Sequence, residues 1–317
     1  MGLLQYRIPG EAVYRKAGEW REKALQELEA GDFVLSTFNK NRVYVFNESQ
    51  DESDFTFASE FPYAVAKEEY LAELSQFKND FAAKGIAKAI FSRVHRVELA
   101  EQLNIDLAFE RMCAEYPNAF VYVISGKEVG TWMGATPETL VSSKEEAFYT
   151  MSLAGTKKEK QTPWTHKEKE EQAFVTEYII DRLNKVGVSN LQTDGPMDLF
   201  TGAVYHLKTD IYFEAAIKEV NHLIELLHPT PAVCGVPTHK ALDLIDQYEK
   251  HSRDFYAGVI GRIGSERCDL FVNLRCMQVF KDALALYVGG GITKDSDVED
   301  EYQETINKAQ TLLKVLS

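Results

Sequence analysis

The richest concentration of groups that could do chemistry lies near the C-terminus, in "LYVGGGITKDSDVEDEYQETINKAQ". Three glycines at 289–291 precede six acids between Asp295 and Glu304 (Asp295, Asp297, Glu299, Asp300, Glu301, Glu304), with no basic residue among them. Glycines ahead of a helix suit a phosphate, because bare N–H groups and the helix dipole attract anions. Here a phosphate would meet like charge, and the Gly-Lys-Ser/Thr ending of a phosphate-binding loop is missing. Taken alone, the stretch reads as a bulge or tight turn followed by a solvated, acid-rich helix start.

Helical geometry at about 100° per residue narrows the acids. In the last helix Val298, Tyr302, Thr305, Ala309, Leu312, Leu313 and Leu316 form an apolar stripe. Glu301, Glu304 and Lys308 line one edge of it, Glu299 falls near the other, and Asp300, Gln303 and Asn307 point away. A second segment, "HKEKEEQAFVTEYIIDRL", should bury Val175, Tyr178, Ile179 and Arg182, and the same face extended backwards reaches Glu171 and Glu168. Carboxylates facing a core need a cation or several donors. Two helices aiming glutamates inward could share a divalent ion, for which an all-oxygen set suits Mg²⁺; ion pairs with Arg182 and Lys167 are the other reading.

Three further residues interrupt apolar surroundings. Lys88, between alanines in "AKAIFSR", either snorkels to solvent or acts as a desolvated base. Glu138, after Pro137 in "GATPETL", is a turn acid or a proton donor with a raised pKa. Arg275, in the middle of the strand-like "VNLRCMQV", could grip a ligand carboxylate or pair with a structural acid.

The elements that must position these groups alternate long helices with strand-like runs. "AGEWREKALQELEAG" reads as a helix closed by Gly31, and "DFVLSTF" and "NRVYVFN" as strands. "EEYLAELSQFKNDFAAKG" is a helix ending at Gly85, "IAKAIFSRVHRVEL" a strand, and "IDLAFERMCAEYP" a helix. "AFVYVISG", "GTWMGA" and "EAFYTMSLAG" follow as strands. Helices then dominate until "YAGVIGRIG", "CDLFVNLRCMQVF" and "ALALYVGGG". With no repeat, linker or low-complexity tract, one continuous domain of outer helices around β-sheets is expected. A net charge of −14 over 317 residues argues against nucleic-acid or anionic-membrane partners. No apolar run has bilayer length, "MGLLQYRIPG" lacks a signal-peptide core, and Tyr6 stands where myristoylation wants Ser or Thr, so a cytoplasmic protein is expected. Cys113, Cys234, Cys268 and Cys276 form no CxxC pair and read as reduced structural thiols.

"KAIFSR", "GATPETL", "LAGT", "KEKEEQ", "HLKT", "LLHPTPAVCGVP", "RDFYAGVIG", "VNLRCMQ" and "YVGGGITKDSDVEDEYQET" stand in the order found in the chorismate-using enzymes, which the chain resembles from about Gly85 to its C-terminus. That family includes isochorismate synthases, salicylate synthases and the large subunits of anthranilate and aminodeoxychorismate synthases. The resemblance implies an α/β (α+β) sandwich with large central sheets and outer helices, in one domain over residues 1–317, of which 1–84 are less characteristic and 85–317 form the catalytic core. It implies Mg²⁺ at Glu171 and Glu304, with Glu168 and Glu301 as companion acids, holding the ring carboxylate of chorismate. Arg275 matches a carboxylate-binding arginine and Lys308 a substrate-contacting lysine, while Gly155, Thr156 and Gly289 line the pocket. The glycines would then let a ligand approach the backbone closely.

Lys88 resembles the lysine that activates water in the isochorismate and salicylate branches; ammonia-using members carry glutamine there. Ala154 stands where aminodeoxychorismate synthases place a nucleophilic lysine. The implied reaction is attack of water on ring carbon 2 with Lys88 as base, while Glu138 protonates the hydroxyl leaving carbon 4, burial lowering the lysine and raising the carboxyl. Ala232 in "HPTPAV" stands where pyruvate-eliminating relatives carry threonine and favours stopping at isochorismate. Tyr256 in "RDFYAG", assigned to the substrate site, looks more like the salicylate pattern. An isochorismate synthase serving menaquinone or siderophore biosynthesis is therefore expected, with a salicylate synthase or a non-catalytic chorismate-binding relative as alternatives. The joint presence of Lys88, Glu138, Glu171 and Glu304 opposes the last of these. Gln172 in place of the usual histidine, and "AGTKKEK" without the usual Arg-Gly, are departures. The resemblance makes a monomer the expected state.

Overall fold

The computed structural model describes residues 1–50, 54–200 and 204–316, excluding the side chains of Thr156, Lys167 and Thr311. The chain begins with strands β1 (Gly2–Arg7) and β2 (Tyr14–Glu22), a single 3-10 turn at Leu25–Glu27, then β3 (Phe33–Ser36) and β4 (Val43–Ser49). Helix α1 (Lys67–Lys84) leads into β5 (Lys88–Glu98), and α2 (Ile105–Glu115) into β6 (Phe120–Gly126), β7 (Gly130–Thr136), β8 (Thr139–Lys144) and β9 (Ala147–Lys157). After α3 (His166–Lys185) come β10 (Ser189–Phe200), β11 (Tyr205–Glu214), α4 (Val220–Leu227), β12 (Gly235–Val236) and α5 (Thr238–Tyr248). The chain closes with β13 (Val259–Ile263), β14 (Arg267–Val272), β15 (Cys276–Val279), β16 (Ala283–Thr293) and α6 (Val298–Leu313).

Among the described residues the strands join one antiparallel 16-stranded sheet, in the order β10, β11, β9, β8, β14, β13, β3, β4, β2, β1, β6, β7, β15, β16, β5, β12. The sheet doubles back as a sandwich. Phe120 of β6 stacks on Phe271 of β14 at 4.5 Å, and the Tyr122 hydroxyl donates to Asn273 Oδ1 at 2.7 Å, across strands far apart in that order. Because strand side chains alternate, β6 feeds two cores: Phe120, Tyr122 and Ile124 face the space between the halves, whereas Val121 and Val123 face α2 and α6. Helix α1 presents Tyr70, Leu74, Phe77 and Phe81 to the core at helical spacing and ends at Gly85, whose φ of 61° suits a residue without Cβ.

Three sequence expectations change here. The "AGEWREKALQELEAG" stretch is not a helix: β2 and the 3-10 turn occupy it. Gly18 and Trp20 are buried on one face of β2 at strand spacing, and a Cβ at Gly18 would lie 2.2 Å from the Asn47 carbonyl oxygen of paired β4, so sheet pairing overrides helix propensity. Residues after α3 are not mainly helical, since β10 and β11 pair at length there. The run "CDLFVNLRCMQVF" is two strands; β14 pairs with β13 and β8, whereas β15 pairs with β7 and β16, and Arg275 sits in the break with φ 48°. Among the described residues no helix is long and apolar enough to cross a membrane. The four cysteines are free, and burial pushes the Cys234 thiol up to about 12 and the Cys268 thiol up to about 11, which suits structural roles.

Candidate active site

A cavity of about 580 Å³ opens where α3 and α6 approach β5, β9 and β16. Lys88, Glu138, Gly155, Glu168, Glu171, Tyr256, Arg275, Gly289, Glu301, Glu304 and Lys308 all line it, so the structure brings these sequence-derived candidates together. Thr156 belongs to β9, but its side chain lies outside the described residues.

Lys88 opens β5 and is buried at 4% exposure, which removes the snorkelling alternative. Its Nζ lies 3.8 Å from Glu171 Oε2. Glu138, between β7 and β8 at 5% exposure, is fixed through its backbone: its N–H reaches Thr136 Oγ1 at 3.3 Å, and its carbonyl accepts from Val272 N at 3.0 Å. Burial pushes the Glu138 carboxyl up to about 7, the Lys88 charge pulling the other way.

The glycines make neither a bulge nor a turn. Their strand pairs with β5 in unbroken register from Ala283↔Glu98 to Thr293↔Lys88, and none of them has positive φ. What they provide is space. A Cβ at Gly291 would lie 2.7 Å from Lys88 Cε, and one at Gly290 would lie 3.0 Å from Glu301 Oε2. At Gly289 a Cβ would lie 2.9 Å from Ser92 Cβ, and the Gly289 carbonyl accepts from Lys308 Nζ at 2.6 Å.

The acids on the two helices each have a nearby partner. Asp297 caps α6 through hydrogen bonds from the N–H groups of Glu299 and Asp300. Glu301, on the first turn, accepts from Ser296 Oγ at 2.6 Å, and Glu304 Oε1 meets Lys308 Nζ at 2.8 Å. Asp300, Gln303 and Asn307 also line the cavity rather than turning from it, because the rim wraps further around α6 than the apolar stripe does. On α3, Thr165 and Glu168 form a capping box, while Val175 and Ile179 are buried as the periodicity requires. Glu171 therefore pairs with Lys88, and Arg182 lies over the Tyr178 ring at 4.9 Å instead of serving these acids. Four carboxylates from two helices around one cavity are the hard oxygen donors that Mg²⁺ takes together with water. They match the ion in kind, although among the described residues no three His, Cys, Asp or Glu side chains are drawn into a metal-sized cluster.

The cavity is also lined by Gly155, His206, Tyr256 and Arg275. Gly155 (φ 70°) and Thr156 together oppose His206 alone between the Tyr205↔Lys157 and Leu207↔Ala154 pairs, which makes a β-bulge. His206 had no role in the sequence beyond its place in "HLKT". Its Nδ1 lies 2.7 Å from the Gly155 carbonyl and must donate; its Nε2 lies 3.2 Å from Arg275 Nη2 and must accept. The neutral Nδ1–H tautomer follows, and burial followed by the Arg275 charge holds the ring down at about 4. Tyr256 stacks on Tyr287 at 5.7 Å, with burial raising its hydroxyl far above its ordinary value. Gln172 is buried with Nε2 within 2.7–2.9 Å of Ser152, Thr176 and Thr209 hydroxyls, so it braces α3 against β9 and β11.

Comparison with known proteins bears on the family and the fold. The vibriobactin-specific isochorismate synthase of Vibrio cholerae serotype O1 is 27% identical over 261 residues, 78% of this chain and 66% of that protein. Isochorismate synthase EntC of Escherichia coli K12 is 26% identical over 247 residues, 74% of this chain and 63% of that protein. The chain thus spans just under two thirds of the length of these relatives. The menaquinone-specific isochorismate synthase MenF of Escherichia coli has the same fold, with a TM-score of 0.85 at 19% identity over 100% of this chain and 89% of that one. The chorismate binding enzyme family matches residues 25–317, reaching well upstream of the resemblance that began near Gly85. A cavity that gathers the candidate residues, inside a match covering nearly the whole chain, leads to one conclusion: this protein belongs to the chorismate binding enzyme family.

Proposed function

We propose that the chain is an isochorismate synthase, converting chorismate to isochorismate with Mg²⁺ as cofactor. The observation that carries the reading is the buried pair Lys88 and Glu138 on one cavity, the carboxyl held at about 7 so that it keeps a proton near neutrality. Lys88 Nζ takes a proton from the water that attacks ring carbon 2. Glu138 gives its proton to the hydroxyl leaving carbon 4. A C–O bond forms at carbon 2 and another breaks at carbon 4 as the ring double bonds shift, so one water enters and one leaves. Proton exchange with solvent then resets both groups.

Arg275, oriented by His206, and Tyr256 hold a substrate carboxylate. Gly155, Gly289, Lys308 and Thr156 shape the rest of the substrate site. Glu171 and Glu304, with Glu168 and Glu301 beside them, would hold Mg²⁺. When bound, the ion supplies charge neutralisation and orientation for the ring carboxylate. The same reading makes the protein a cytoplasmic monomer with one domain over residues 1–317, in which residues 1–84 supply the middle strands of the sheet and 85–317 the catalytic core. Menaquinone and siderophore biosynthesis are the routes it could serve, as the names of the relatives suggest.

Proton NMR of chorismate incubated with the protein, with Mg²⁺ or with EDTA, tests this directly. Isochorismate formed only with Mg²⁺ and lost in Lys88→Ala is the expected result. Salicylate with pyruvate would replace the assignment with a salicylate synthase. Unchanged chorismate in a folded, Mg²⁺-loaded sample would leave a binding protein without turnover.

A further inference from the structure

Lys157 also lines the cavity, yet its ammonium is spent elsewhere. Nζ lies 3.1 Å from the Lys160 carbonyl, 3.0 Å from the Thr162 carbonyl and 2.8 Å from Asp198 Oδ2, which uses the three donors a lysine has. Trp164 completes the cluster: its Nε1–H donates to Asp198 Oδ1 at 2.6 Å, and its ring face takes the Lys157 ammonium at 4.4 Å. Hydrogen bonds from Lys157, and then from Trp164, hold the Asp198 carboxyl below the usual carboxylate range.

These contacts fasten residues 158–165 to the edge strand β10, and that segment joins two parts of the cavity wall. Upstream is Gly155, where a Cβ would lie 3.2 Å from Trp164 Cζ3 and 3.3 Å from Glu168 Cβ. Downstream, Thr165 N and Oγ1 donate to Glu168 Oε2 at 2.7 and 2.9 Å. The bulge glycine, the tryptophan ring and the glutamate are thus packed against one another. Moving the segment would move Glu168 and uncover Gly155.

We propose that Lys157, Trp164 and Asp198 are positioning residues, a clasp that sets Glu168 and Gly155 at the cavity and through them its affinity for Mg²⁺ and substrate. This rests on the isochorismate synthase reading of the cavity.

The test combines acrylamide quenching, Mg²⁺ calorimetry without substrate, and steady-state kinetics. Of the three tryptophans, Trp20 and Trp132 are 2% and 0% exposed, so quenching reports mainly on Trp164. Asp198→Ala should increase quenching, weaken Mg²⁺ binding by about tenfold and raise KM similarly, with kcat changing by less than about threefold. Trp164→Phe, which keeps the ring face, should stay close to wild type in Mg²⁺ affinity, whereas Trp164→Ala should follow Asp198→Ala. Unchanged Mg²⁺ affinity and KM in Asp198→Ala would overturn the clasp while leaving the site reading intact. A wild-type protein that neither binds Mg²⁺ nor converts chorismate would overturn the site reading, and the clasp with it.

Discussion

The two walls of the cavity are built on opposite principles. Lys88 and Glu138 sit on the sheet, at 4% and 5% exposure, held by backbone and burial. The glutamates beside them sit on the first two turns of α3 and α6, with exposure running from 7% at Glu301 to 37% at Glu304, and with partners among the side chains nearby: Lys88, Lys308, Ser296 and Thr165. Burial changes what a group is, as the Glu138 carboxyl pushed up to about 7 shows. A short tether changes only where a group points, and leaves it exchangeable. Under the proposed function, a proton-transfer pair would gain from the first arrangement, and carboxylates that turn towards a cation would gain from the second.

The contrast can be broken most forcefully at the sheet wall. Lys88→Ala and Glu138→Gln should each lower kcat/KM by about 10²–10⁴, measured with chorismate at saturating Mg²⁺. Glu138 must be protonated to act, so wild-type activity should fall as pH rises through about 7, and that descending limb should vanish from the residual activity of Glu138→Gln. A limb that persists in the variant would place the acid elsewhere.

Stability should move in the opposite direction at the same residue. The folded-state carboxyl titrates near 7 against an ordinary 4.5, so ionisation opposes folding: there is no penalty below about pH 4.5, it grows between 4.5 and 7, and it is complete above. Glu138→Gln should therefore stabilise the protein by about 3 kcal/mol at pH 8 and by almost nothing at pH 4, read from urea midpoints. Equal midpoints of variant and wild type at pH 8 would show that burial is not what raises the group.

The glycines sharpen the same distinction. At Gly291 a new methyl meets the flexible end of Lys88, which can move aside; Gly291→Ala should keep its thermal midpoint and lose about 10- to 100-fold in activity through the displaced Nζ. At Gly289 the obstacle is Ser92 Cβ and the Phe91 carbonyl, so Gly289→Ala should lose about 1–3 kcal/mol of stability. The helix wall should respond least. Ser296→Ala removes one hydrogen bond to Glu301 and is expected to lower stability by about 1 kcal/mol, with Mg²⁺ affinity measured alongside.

Much of this was legible before any coordinates. Apolar residues at helical spacing, closed by Gly85, define α1, and extending the buried face of α3 backwards selects Glu171 and Glu168 over Lys169 and Glu170, which are exposed. Such readings work because helix faces depend on neighbours three or four residues away. Strand β2 failed the same approach. Its charged, helix-compatible residues carry only Gly18 and Trp20 as an inward signal, and what makes it a strand is β1 on one side and β4 on the other. Arg275 misled for a related reason: the break after Val272 exists because β14 and β15 belong to opposite halves of the sandwich. His206 could not be chosen within "HLKT", since its partners Gly155 and Arg275 lie 51 and 69 residues away.

Residue types and local spacing thus establish the chemical inventory: a lysine in a strand-like run, an acid after a proline, and glutamates on particular helix faces. The ordered motifs add the resemblance to the chorismate-using enzymes, and the family match over residues 25–317 shows the membership. Folding assigns the states and pairings. The raised Glu138 carboxyl, the Lys88 to Glu171 contact, the neutral His206 tautomer and the space that Gly291 leaves for Lys88 all depend on groups brought together from distant parts of the chain. Desolvation and close packing act through space, and neither leaves a mark on the neighbouring letters.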